Sequence, residues 1–477
     1  MNQQDAPRGL EPKMRVEGQI AVPGSKSVAQ RALLLAALGP GGSRLRGVFE
    51  GADVEHMLQT LGAMGLGPER SADGDLVWPK ERKPDRAGQA EAGTGAVIGV
   101  GESGTAARLW TALAGLGCLG PGPWTVESEG SLSRRRSPAL LACLKGAGVA
   151  LAPRDPGRGD FPLEIRPPAV ERPGRGPDHP LGPLVLRAPG SSQEVTGLLL
   201  GMALGRHAGP LSVHGEIPSR PYVDITRDVL QRFGVRLVEG ESSMGASSLG
   251  EARNNGEALH FHCSGELRAP AHPLAVEPDA SAAAVALAAG CLSGGRVLVA
   301  GLSAEAAQGD VAIADHLAAF GCRSGFDGQG IWAEGQPAQG ARLDLSGEPD
   351  LAPVLAAVAA AAARRGGGGS ELTGLATLAG KESDRVQVLA AGLRATGFQV
   401  EAGASFLRID YQGPGTDENI RPQPRVLDPH GDHRMAFAFG LLGLVVPGVR
   451  VSNPDCVTKS WPRFWTSLGN TGEKPAT

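Results

Sequence analysis

Six stretches of the chain carry apolar residues on nearly every side for three turns or more: SVAQRALLLAALG, GTAARLWTALAGLG, SQEVTGLLLGMALG, ASAAAVALAAGCLSG, DLAPVLAAVAAAAARR and DHRMAFAFGLLGLVV. A helix with no polar face has no side to turn to water, so each predicts a buried helix. After each comes a second helical stretch that ends near a glycine and runs into a strand-like segment: MLQTLGAMGLG, LLACLKGAGVA, VLQRFGVRLV, HLAAFGCRSG, GLRATGFQV and FWTSLGN. With Gly65, Gly148, Gly234, Gly321, Gly397 and Gly469 as markers, the intervals run from 72 to 87 residues. That period is too long for small solenoid repeats and leaves room in each for two helices and several strands. The pattern predicts an α/β protein of six supersecondary repeats.

The buried helices open at Ser27, Gly104, Ser192, Ser281, Asp350 and Asp432, each 37 to 47 residues ahead of its marker glycine. Taken singly, each start is explained by capping, which favours small polar residues. Repeated six times at equivalent places, the starts are expected to gather in space. Unpaired N–H groups and positive dipole ends would then face one cleft suited to anions.

Composition narrows the classes. The chain has 477 residues, with 46 basic against 50 acidic side chains and a formal net charge of −4, which excludes a protein that coats nucleic acid by bulk charge. The length predicts two domains. Although 71 glycines and 37 prolines are many, apolar segments interleave with them throughout, which argues against wholesale disorder. Segments 81–95, 153–182, 240–257, 366–369 and the tail 470–477 read as loops. The six cysteines form no CxxC pair, and MNQQDAPRGLEPK lacks the apolar core of a signal peptide. No stretch has the length of a membrane span. The expectation is a soluble cytoplasmic protein with reduced thiols.

The sharpest motif is VPGSKSVAQRALLLAAL, where a Pro-Gly turn delivers Lys26 and Ser27 at a buried helix start and Arg31 follows one turn later on the same face. Ammonium, hydroxyl and guanidinium together suit a phosphate or carboxylate, with Arg31 making a two-pronged contact. This motif does not stand alone. PGSKS, GESGTAAR, SSQEVTGLLL, SRPYVDIT, EPDAS, QGD, the PD of GEPDLA, KESDR, DHRM and DCVTKSWP occur in the order and approximate spacing of the 5-enolpyruvylshikimate-3-phosphate synthase family, across nearly the whole chain. The sequence resembles that family.

The resemblance implies a two-domain enolpyruvyl transferase fold of six βαββαβ units. Three units lie in each domain around a pseudo-threefold, an inverse α/β barrel whose buried helices point their N-termini at the interdomain cleft. It places one domain at 23–276 and the other at 1–22 plus 277–477. It implies transfer of the enolpyruvyl group of phosphoenolpyruvate to the 5-hydroxyl of shikimate 3-phosphate, with release of phosphate, by a monomer using neither cofactor nor metal.

By position within the motifs, Lys26, Ser27, Arg31, Ser191, Ser192, Gln193, Ser219, Tyr222, Asp350 and Lys381 resemble the shikimate 3-phosphate contacts. Lys26, Gly104, Thr105, Arg135, Gln193, Arg385, Arg434 and Lys459 resemble those to phosphoenolpyruvate. Glu382 is the candidate for proton exchange at the methylene carbon, Asp350 for orienting or deprotonating the hydroxyl, Lys26 for partner acid and base, and His433 for contact with an intermediate. Gly104 and Thr105 resemble the glyphosate-sensitive form of the loop.

Departures from the family pattern are Glu102 in place of asparagine, Ala379 and Gly380 ahead of KESDR, and a displaced proline in EGSLSRRRSP that leaves Arg134 and Arg136 as competitors of Arg135. A sister enzyme acting on UDP-N-acetylglucosamine typically carries a reactive cysteine in this last loop, where none occurs; Cys118 and Cys143 flank it within apolar helices. A non-catalytic anion binder is the rival from another class. The histidines of DPHGDHR lack a nearby third ligand for a metal.

Overall fold

A computed structural model describes residues 6–48, 51–80, 96–157, 159–168, 181–205, 207, 209–241, 258–413 and 425–469. The predicted loop 81–95, residues 242–257 of the predicted loop 240–257 and the tail 470–477 lie outside the described residues, whereas Gly240 and Glu241 end the strand Val235–Glu241. The chain divides into two compact lobes, residues 26–276 and residues 1–25 with 277–477. The first crossing thus falls three residues beyond the Pro23 boundary expected from sequence. Backbone bonds hold this segment to the second lobe: Ser25 N–H donates to Glu277 O at 2.7 Å, and Asp279 N–H to Pro23 O at 2.8 Å.

The buried helices of the first lobe are α1 (Lys26–Leu38), α3 (Gly104–Gly115) and α5 (Ser192–Ala203), and their amphipathic partners are α2 (Ala52–Ala63), α4 (Pro138–Gly146) and α6 (Pro221–Arg232). In the second lobe the buried helices are α7 (Ala280–Ser293), α9 (Ala352–Arg364) and α11 (His433–Gly443), with α8 (Ile313–Ala319), α10 (Arg385–Ala395) and α12 (Phe464–Gly469) as partners. Small residues let the buried helices approach closely. A Cβ at Gly197 of α5 would fall 2.8 Å from Ala112 Cβ of α3. Five of the six marker glycines have φ between +69° and +97°, the left-handed turn that ends an amphipathic helix and releases the chain into a strand. The sixth, Gly469, is the last residue of α12.

In the second, third and fifth repeats the order along the chain is strand, buried helix, strand, second helix, strand, strand. This is βαβαββ, not the expected βαββαβ. Leu184–Arg187 runs parallel to Leu211–His214, which pairs antiparallel with Leu259–Gly265, itself antiparallel to Val235–Glu241. The same order recurs in Ala96–Gly99, Trp124–Glu127, Leu163–Arg166 and Ala150–Pro153. The first two strands are parallel and need a helical crossover, whereas the last two form a hairpin and need only a short turn. Leu163–Arg166 lies inside the span 153–182 expected as loop; Leu163 and Ile165 are fully buried, and the flanking prolines and glycines hid a four-residue alternation.

The repeats borrow strands across the chain. Leu274–Ala275 pairs with Arg44–Arg46 in the first sheet, and Gly18–Gln19 with Arg296–Ala300 in the fourth. In the fifth, Arg342–Asp344 lies parallel to Ser370–Thr373 and the hairpin Gln399–Ala402 with Leu407–Asp410 completes the sheet. Among the described residues the sixth has Arg425–Leu427 parallel to Val449–Val451, with Arg8 bridging antiparallel to Val451.

Candidate functional site

In the first lobe the starts of α1, α3 and α5 meet. Ser103 caps α3 by accepting from Ala106 N–H at 3.3 Å, and Gln30 of α1 donates to the same hydroxyl at 3.2 Å. Ser191 caps α5 through Gln193 N–H at 3.2 Å. The Gln193 amide then reaches α3 twice, donating to Thr105 Oγ1 at 2.9 Å and accepting from Arg108 Nη1 at 3.1 Å. Gly104 has no side chain to block this convergence. A Cβ there would stand 2.9 Å from Arg108 Nη1, 3.3 Å from Arg135 Nη1 and 3.9 Å from Gln193 Oε1. Of the three neighbouring arginines, Arg135 is half-buried beside Gly104, while Arg134 and Arg136 are exposed. Arg136 is turned to Pro156 O at 3.0 Å.

Arg31 is 1% exposed, and its hydrogen bonds go to neutral oxygens: Thr226 Oγ1 at 2.9 Å, Ser27 O at 2.7 Å, Thr196 Oγ1 at 3.1 Å and Tyr222 O at 3.0 Å. Burial pulls its pKa down to about 10, against the opposing influence of Tyr222. The two-pronged grip expected for a ligand is here made on the protein, and the charge is embedded among hydroxyls and carbonyls. Lys26 Nζ lies 2.9 Å from Asp53 Oδ2. Ser219 holds φ +52° just ahead of α6, and its carbonyl accepts from Tyr222 N–H at 3.2 Å. The half-buried Glu102 packs its carboxylate against Gly130, where a Cβ would collide with it.

In the second lobe the starts of α7, α9, α10 and α11 meet around Arg385, which is 1% exposed. Its guanidinium donates to Asp432 Oδ2 at 2.8 Å, Asp350 Oδ1 at 2.8 Å and Glu382 Oε2 at 2.6 Å. Burial works against its positive charge, but the three carboxylates outweigh that and hold its pKa above the usual range. Asp350 also takes Lys381 Nζ at 3.4 Å and Arg434 Nη2 at 3.3 Å. Burial alone would raise the Asp350 pKa; Arg434, Lys381 and Arg385 together press it well below the carboxylate range. Glu382 bridges Arg385 to Lys459, whose ammonium stands 3.2 Å from Oε1. Asp432 caps α11 by accepting from Arg434 N–H at 2.9 Å. His433 is buried with its ring edge-on to Phe437 at 5.9 Å between centroids.

Six of the predicted residues, Asp350, Lys381, Glu382, Arg385, Arg434 and Lys459, therefore form one connected network in the second lobe, with predicted His433 beside it. In the first lobe, Gly104, Thr105, Arg135 and Gln193 sit together, and Arg31 binds the backbone of Ser27 and Tyr222. The motifs by themselves assign no role to Arg108, one turn after Gly104, or to Asp310. The only signals were the arginine closing GESGTAAR and the aspartate of QGD. Among the described residues no group of three or more His, Cys, Asp or Glu is gathered for a metal, and no helix is long and apolar enough to cross a membrane. Cys118 and Cys143 are buried, and burial pushes the Cys143 thiol up to about 12.

The order of elements and the two anion-suited clusters define an enolpyruvyl transferase fold. Solved structures share it: EPSP synthase from Acinetobacter baumannii superposes with a TM-score of 0.69 at 22% identity, covering 97% of each chain. The enolpyruvyl transferase NikO from Streptomyces tendae gives 0.63 at 16% identity, covering 97% of this chain and 96% of that one. The chain belongs to the EPSP synthase (3-phosphoshikimate 1-carboxyvinyltransferase) family, whose model it matches over residues 10–468. Among curated relatives, the 3-phosphoshikimate 1-carboxyvinyltransferase of Thiobacillus denitrificans is 34% identical, with 96% of this chain and 98% of that protein covered. The protein of the same name from Shewanella amazonensis is 31% identical, with 97% and 98% covered.

Proposed function

We propose that this enzyme transfers the enolpyruvyl group of phosphoenolpyruvate to the 5-hydroxyl of shikimate 3-phosphate and releases phosphate, and that the two clusters above supply the groups for it. The observation that carries the reading is the network of Asp350, Glu382, Lys381, Arg385, Arg434 and Lys459, in which cations and carboxylates alternate at 2.6 to 3.4 Å. Both substrates are polyanions, and the fixed cations of Arg434, Lys459 and Lys381 offer them preorganised charge.

In the addition step the 5-hydroxyl oxygen bonds to C2 of phosphoenolpyruvate, the hydroxyl proton leaves and a proton arrives at the methylene carbon. Asp350, kept ionised by its three cations, orients or takes the hydroxyl proton. Glu382, between Arg385 and Lys459, exchanges the methylene proton. Elimination removes a proton from the new methyl group and expels phosphate, with Lys26 as the acid near the bridging oxygen. Ser27, Ser191, Ser192, Ser219 and Tyr222 hold shikimate 3-phosphate, with Arg31 behind them fixing the Ser27 and Tyr222 carbonyls; Gly104, Thr105, Arg135 and Gln193 complete the phosphoenolpyruvate contacts. The enzyme acts as a cytoplasmic monomer.

The test is phosphate release with both substrates, repeated for Glu382→Gln. The wild type turns over. The variant binds shikimate 3-phosphate in calorimetry while turnover falls by two orders of magnitude or more, the span of lost general acid–base catalysis. Wild-type release at background in the presence of both substrates, or an undiminished variant, refutes the assignment.

A further inference from the structure

Asp310 lies outside every role given so far, yet it is buried at 6% exposure against the start of α7. It belongs to a short helical turn, Gly309–Ala312, whose preceding residue pins the same helix start. Gln308 Oε1 accepts from Ala280 N–H at 3.0 Å, and its amide donates to Glu277 Oε1 and Pro278 O, both at 2.8 Å. Two residues on, Asp310 Oδ2 accepts a hydrogen bond from the Ser281 hydroxyl. The same hydroxyl oxygen accepts from Arg434 Nη2 at 3.1 Å.

A serine hydroxyl has one proton and two lone pairs. Arg434 can only donate, so it claims a lone pair and leaves the proton pointing at Asp310. The carboxyl therefore fixes which way the hydroxyl faces. We propose that Asp310 is a positioning residue for Arg434, acting through Ser281, and so sets how strongly Arg434 is available to an anionic substrate. This rests on the reading of Arg434 as a phosphoenolpyruvate contact.

The groups facing Asp310 are Arg434 of α11, Asp350 ahead of α9, and Asp279 and Ser281 at the start of α7. Burial raises its pKa to about 7, with Asp350 and Asp279 adding to the rise and Arg434 and Ser281 opposing it. Neutral at lower pH, the carboxyl orients Ser281 without competing for the Arg434 charge. Ionised above pH 7, it adds a negative charge beside Arg434 and weakens the pull on phosphoenolpyruvate.

The test measures KM for phosphoenolpyruvate and kcat from pH 6 to 9 in the wild type, Ser281→Ala, Asp310→Ala, Asp310→Asn and Arg434→Ala, with melting temperature recorded for each. Ser281→Ala and Asp310→Ala raise KM by roughly tenfold, the size of one hydrogen bond to a charged donor, with a smaller change in kcat. Asp310→Asn keeps an acceptor oxygen, rescues KM at pH 7, and loses the rise in KM that the wild type shows above pH 7. If Arg434→Ala raises KM while Ser281→Ala and Asp310→Ala leave it unchanged, the inference is overturned. If Asp310→Asn keeps the wild-type pH profile, its titration has no part and the proposal fails. If Arg434→Ala itself leaves KM unchanged, the parent reading of Arg434 falls and takes this inference with it.

Discussion

Gly104→Ala adds a single methyl group at the narrowest point of the first-lobe cluster. The new Cβ stands 2.9 Å from Arg108 Nη1, closer than carbon and nitrogen tolerate, and 3.3 Å from Arg135 Nη1. Both obstacles are the far ends of flexible side chains, so the backbone stays and the guanidinium groups move. Arg108 must then loosen its 3.1 Å bond to Gln193. Losing a hydrogen bond from a charged donor costs about 1.5–3 kcal/mol. Alanine for glycine in a helix returns about 0.5–1 kcal/mol.

The net loss in stability is then about 0.5–2.5 kcal/mol, and at roughly 2–4 °C per kcal/mol for a domain of this size the melting point falls by no more than about 10 °C. On the proposed role of Gly104 and Arg135 at phosphoenolpyruvate, its KM rises by about tenfold, equal to ~1.4 kcal/mol, while KM for shikimate 3-phosphate changes little. Glyphosate, read as a competitor for the same loop, loses more affinity than the substrate. Steady-state kinetics with each substrate varied in turn, inhibition by glyphosate and a thermal melt make up the assay. An unchanged KM for phosphoenolpyruvate, or equal rises for both substrates, would refute the steric argument.

Arg385→Met removes the cation shared by Asp350, Glu382 and Asp432 and leaves like charges buried together; stripping one partner from a buried ion pair costs about 3–5 kcal/mol, read as a large drop in denaturant midpoint. The loss should shrink as the pH is lowered and the carboxylates protonate. Asp350, whose pKa is depressed in the folded state, contributes stability that is complete above its unfolded pKa of about 3.9 and is lost as pH falls below it. Lys381→Ala removes one of the depressing cations, so acid unfolding followed by circular dichroism moves to higher pH; an unmoved midpoint refutes the coupling.

Local features of the chain already carried the repeat architecture. An all-apolar helix can only be buried, a glycine in the left-handed turn ends the helix before it, and both signals depend on neighbours within a few residues. That is why the six helix starts fall within two residues of their predicted positions, from Lys26 at α1 to Ala352 at α9. The order of strands was not local. The strand Leu163–Arg166, which pairs with Trp124–Glu127, and the borrowed strands Gly18–Gln19 and Leu274–Ala275 depend on pairings with distant segments, whose hydrogen bonds leave no trace in composition.

The chemistry divides in the same way. KESDR and DHRM announced a charged site, but nothing in either motif says that Asp432 clasps Arg385 or that Arg31 spends its guanidinium on Thr196, Thr226 and Tyr222. Asp310 is an ordinary acidic residue in QGD until folding buries it beside Ser281, Arg434 and Asp350. Periodicity is written residue by residue along the backbone. The strength of a charge follows from distance and desolvation, and both are set only when remote segments pack together.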